Sequence, residues 1–180
     1  MGSQYLDLHL VDPALVQARL RGDLPDLVAS LYGGEGAPDP ALRPAFELMA
    51  RGTFVFLPKG REHPEGHLHA RAVEHLLTTL GKKKWCLEYY PDESEYPLWE
   101  LGYGKCDAEW LDVPNPEHGI PLVRWRSPDT CRSLRGAIER SLERGDYNAR
   151  YSPEASLREA VAALSEGASS RHGLFAVYQG

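Results

Sequence analysis

Hydrophobic and polar positions alternate with two distinct periods along this chain. Tyr5–Val11 sets Leu6, Leu8 and Leu10 against Asp7 and His9, the period-two pattern of a half-buried strand. Thr53–Leu57, Trp85–Tyr90, Trp110–Val113, Leu122–Arg126 and Leu174–Tyr178 are short segments rich in branched and aromatic residues, and they also read as strands. Between them the spacing changes to that of helices. Cys131, Leu134, Ile138 and Leu142 form one stripe, as do Leu157, Ala160, Val161 and Leu164. Leu68 to Leu80 carries a third, with Ala72, Val73, Leu76, Leu77 and Leu80 inward and Gly81 as its stop.

Four helix starts share one chemistry, a capping side chain followed by proline: Asp12-Pro13, Asp39-Pro40, Ser127-Pro128 and Ser152-Pro153. The cap oxygen accepts a free backbone N–H, and proline in the first turn loses no bond. Gly22, Gly52, Gly145 and Gly167 read as the matching stops. Gly33–Pro40 reads as a loop. Strands and helices are mixed without the even alternation of a doubly wound sheet. The pattern predicts an α+β fold, residues 1–180 as one domain, with a central, mostly antiparallel sheet and several packed helices.

Composition narrows the class. The 180 residues hold 42% hydrophobic side chains, enough for a core without staples. Cys86, Cys106 and Cys131 are odd in number and widely spaced, so they suggest reduced thiols in a cytoplasmic protein. No signal-peptide pattern and no apolar run of membrane-spanning length occurs. Met1-Gly2-Ser3 lacks the later Ser or Thr of a myristoylation signal, since Leu6 stands there. Phosphate-loop, dinucleotide-binding, nucleophile-elbow and H-E-x-x-H motifs do not occur. Lys82-Lys83-Lys84 follows a helix C-terminus, where cations offset the dipole.

The net charge of −6 is local. Glu88–Trp110 carries seven acids against Lys105 alone, and the rest of the chain balances at 19 against 19. Six aromatics lie in the same stretch. Tyr and Trp give rigid contact area, and carboxylates draw cationic partners. Glu93, Glu95, Tyr96, Trp99, Glu100 and Tyr103 are therefore the candidate binding residues, for a basic protein partner. Nucleic acid is disfavoured as a partner, because its phosphates need clustered Lys and Arg.

A second cluster holds His63, His67, His69 and His75. His67-Leu68-His69 followed by Glu74 resembles the first metal-binding motif of the cupins, which implies two imidazoles and a carboxylate on a divalent metal. His67, His69 and Glu74 are thus the candidate catalytic or metal-ligating residues of a small-molecule enzyme, and a divalent metal is the one cofactor they suggest. Their helical setting opposes the match, since on a helix His67 and His69 point about 200° apart. The later histidine of the cupin pattern is also missing.

Three segments resemble the YfbM-like family of bacterial proteins of unknown function. They are Gln4–Pro13, the helix His67–Gly81, and the closing pair Leu157–Leu164 and Gly173–Tyr178. The resemblance implies an α+β fold and supplies no catalytic residues.

Overall fold

The computed structural model describes residues 4–21, 24–52, 66–89, 97–108 and 122–179. They form an α+β fold around a four-stranded antiparallel sheet. Its strands are β1 (Gln4–Leu10), β2 (Lys83–Tyr89), β3 (Leu122–Arg126) and β4 (Leu174–Gln179), in the spatial order β2-β1-β4-β3. Every pairing is antiparallel, with Asp7 opposite Cys86 on one side and Val177 on the other, and Trp125 opposite Phe175. The segments Thr53–Leu57 and Trp110–Val113, read as strands in the sequence, lie outside the described residues.

Period two sorts the side chains onto two faces. Val11, Val123, Phe175 and Val177 face one helical layer: α1 (Pro13–Arg21), α2 (Leu27–Tyr32), α3 (Arg43–Ala50) and α4 (Gly66–Leu80). Val16, Leu20, Phe46, Met49, Val73 and Leu77 complete that core. Leu6, Leu8, Trp85, Leu87, Leu174, Ala176 and Tyr178 face the other layer: α5 (Pro97–Tyr103), α6 (Pro128–Arg144) and α7 (Glu154–Ser169). Leu98, Leu101, Ile138, Leu157 and Leu164 close that side. The central strands β1 and β4 thus feed both cores.

Capping side chains open α1 and α6. Ser127 Oγ accepts the Thr130 amide at the start of α6, and Gly145 ends α6 at φ 66°. Asp12 Oδ1 accepts the Ala14 amide, and Asp39 Oδ1 accepts that of Ala41 ahead of a 3-10 turn, Pro40–Leu42, that leads into α3. Two expected signals act otherwise. Ser152 provides no cap for α7, which starts at Glu154 without a side-chain cap, and its buried hydroxyl has no hydrogen-bond partner among the described residues. Gly167 does not end α7, which continues to Ser169. A Cβ at Gly167 would lie 2.7 Å from Leu174 Cγ and 3.0 Å from Cys131 Sγ, so this glycine lets the helix approach β4 and α6.

Candidate functional site

Two regions hold the chemistry, one on each face of the sheet. The first is α5, in the middle of the acidic aromatic stretch. Its Leu98 and Leu101 are buried and Glu100 is exposed. Trp99 and Tyr103 are half-buried and stacked, with ring centroids 5.7 Å apart, and Tyr103 tilts against the buried Tyr178 at 4.8 Å. Glu93, Glu95 and Tyr96 lie outside the described residues.

A seven-residue helix is too short to hold by itself, and Arg126 of β3 supports this one. Only 1% exposed, its guanidinium donates to the carbonyls at the end of α5. Nη2 reaches Glu100 at 2.6 Å, Leu101 at 2.9 Å and Gly104 at 3.1 Å. Nε donates to Leu101 at 3.0 Å, and Nη1 donates to Lys105. A cation here also faces the negative end of the helix dipole. Burial lowers the Arg126 pKa, opposed chiefly by Asp107. Nothing in the pattern of β3 singled Arg126 out.

The second region lies on the other face, where β1 and β2 bring Tyr5, Asp7 and His9 beside Glu88, Cys86 and Lys84. Asp7 is 2% exposed and its Oδ2 accepts the Lys84 ammonium at 2.6 Å. His9 is fully buried, and among the described residues neither of its ring nitrogens has a hydrogen-bond partner. Burial, followed by the Lys84 charge, lowers its pKa to about 4, so its ring is neutral at pH 7. Burial and a hydrogen bond to Asp7 push the Cys86 thiol up to about 11, which removes it as a nucleophile at neutral pH.

Glu74 reaches this second region from α4. It is half-buried, and burial with the Asp7 charge raises its pKa. At about 100° per residue it lies about 20° from His67 and about 140° from His69 around the helix. The helix begins at Gly66, so His67 falls in its first turn; its side chain, like all of His63, lies outside the described residues. His69 is half-buried. Of the three histidine-cluster candidates, Glu74 is the one seen in the field of Asp7 and Lys84. Among the described residues no three His, Cys, Asp or Glu side chains gather as ligands of one metal ion. Asp7 and His9 were visible in the sequence only as the polar half of an alternating strand.

No family model, no curated protein and no solved structure matches this chain. Among the described residues no helix is long and apolar enough to cross a membrane.

Proposed function

We propose that this chain is a cytoplasmic binding protein of the immunity or defence type, which engages a basic protein such as a nuclease-like toxin. The observation that carries this reading is the imbalance of seven acids to one base within residues 88–110. In its described part, α5 presents the exposed carboxylate of Glu100 beside the Trp99–Tyr103 stack, which is fixed from below by Tyr178 and Arg126. Preset aromatics lose little freedom on binding, and surface carboxylates steer a cationic partner in. Kinship with the YfbM-like proteins belongs to the same proposal and rests on the segments that form β1, α4, α7 and β4.

Affinity capture with the native chain and with Glu100→Lys tests it. The reading expects a basic protein that binds the native chain stoichiometrically after repurification, elutes with salt, and loses about tenfold or more in affinity to the variant. Equal capture by both chains, or binding insensitive to salt, overturns it.

A second reading, a small-molecule enzyme, draws on Glu74. Burial and Asp7 favour its protonated form, which is the form a general acid needs. A carboxyl infrared band that titrates above the ordinary glutamate value and is lost in Glu74→Gln supports that role, and a band that titrates at or below that value removes it.

A further inference from the structure

We propose that β2 is a self-association edge, at which two copies of this chain pair their β2 strands antiparallel about a two-fold axis at Cys86. The pairing joins two four-stranded sheets into one continuous sheet. It uses the edge of the sheet and does not depend on the partner reading for α5.

β2 is the outermost strand, and among the described residues it pairs with β1 alone. A strand with one neighbour engages half of its backbone N–H and C=O groups there and turns the other half outward, as a template for a further strand. The opposite edge, β3, has five residues against the seven of β2. Its only charged side chains are Arg124 and Arg126, so a copy of β3 would meet it base against base.

Alternation decides what two copies of β2 would bring together. Trp85 and Leu87 are buried toward α7, while Lys84, Cys86 and Glu88 are exposed on the other face. Opposed residues of an antiparallel pair share a face, and a two-fold axis sets one residue opposite itself. Cys86 is the midpoint of Lys83–Tyr89, so an axis there lets all seven residues pair. The same axis sets Lys84 of each copy opposite Glu88 of the other. No other two-fold register within β2 opposes an acid to a base.

This self-complementarity identifies the occupant of the edge. Lysine on an edge strand ordinarily blocks pairing with a copy. Here the acid at the far end of the strand supplies its partner, and opposite charges directly across a ladder stabilise it. Lys84 donates to Asp7 of its own chain at 2.6 Å, and an ammonium has three donors, so it can take the incoming carboxylate as well. Two seven-residue strands make a small interface, so the association is weak and reversible.

Sedimentation of the full native chain from about 10 µM to about 1 mM tests the association, because a small interface pairs in that range. Physiological salt screens the like net charge of the two copies. Amide exchange of the native chain at both ends of the range locates the contact without any substitution. The pairing predicts a reversible monomer–dimer equilibrium, with exchange slowed at alternate residues of β2 and unchanged in β3. Glu88→Lys sets Lys opposite Lys at two places and weakens the dimer by about tenfold or more. Glu100→Lys leaves the dimer unchanged, which separates this edge from the α5 surface. A chain that stays monomeric throughout, a dimer protected at β3 or α5 instead, loss of the dimer in Glu100→Lys, or a folded Glu88→Lys variant that dimerises as well as the native chain overturns the proposal.

Discussion

His9 and Glu74 oppose each other in their effect on stability. His9 has its pKa lowered from 6.5 to about 4, so between those values the unfolded chain binds a proton that the folded chain does not. Its contribution is complete above pH 6.5 and is lost as pH falls to about 4, roughly 3 kcal/mol at 1.36 kcal/mol per unit. Glu74 has its pKa raised, so the folded chain holds the proton more strongly. Its contribution is complete below its ordinary value of 4.5 and is lost as pH rises above it. Urea midpoints measured from pH 4 to 7 should therefore rise with pH. His9→Phe, which fills the space without orphaned nitrogens, should flatten that rise, and Glu74→Gln should steepen it. An unchanged slope in His9→Phe refutes the assignment. His9 could not be ranked from sequence, because burial of a polar side chain on the inner half of a strand depends on what covers it. Glu74 stood out for its spacing from His67, a pairing unrelated to its closeness to Asp7 and Lys84.

Local chemistry decided which elements were legible. Strands β1, β3 and β4 and helices α4, α6 and α7 carry clear periods, and Gly52 and Gly145 stand at positive φ where stops were expected. Helix α2 went unseen because six residues give fewer than two turns of pattern. Helix α5 was hidden by its aromatics, which favour strands by propensity, although Pro97 opens it and Leu98 and Leu101 follow at helical spacing. Gly167 misled because glycine in a helix also serves close packing. What holds α5 is a residue 21 to 26 positions from the carbonyls it binds, which no local pattern contains. Arg126→Met should cost roughly 2–4 kcal/mol, since several buried carbonyls lose their donor together. Amide exchange should accelerate first at the end of α5 and leave β1 protected. If β1 exchanges as fast as α5, Arg126 serves the sheet as a whole and the capping role is wrong.

At the scale of the whole molecule, one sheet separates two cores, and two strands belong to both. Leu6 and Leu8 of β1 face α5–α7, while its next-door Asp7 and His9 face the α4 side; β4 splits Phe175 and Val177 from Leu174, Ala176 and Tyr178. Neither layer can leave without stripping one face of the same two strands. The alternation that builds this coupling was visible in the sequence, but the strand order was not, because β1 and β4 meet across nearly the whole chain. Coupling of this kind makes unfolding cooperative even when only one core is damaged. Phe175→Ala removes a fully buried ring from the α4 side and should cost about 3–5 kcal/mol. Trp125 reports from that side and Trp85 from the other, so single-tryptophan versions of the variant can follow the two cores separately. Their urea transitions should move together to lower midpoints and stay coincident. If Trp125 melts well before Trp85, the layers unfold independently, and the shared strands do not carry the coupling assigned to them.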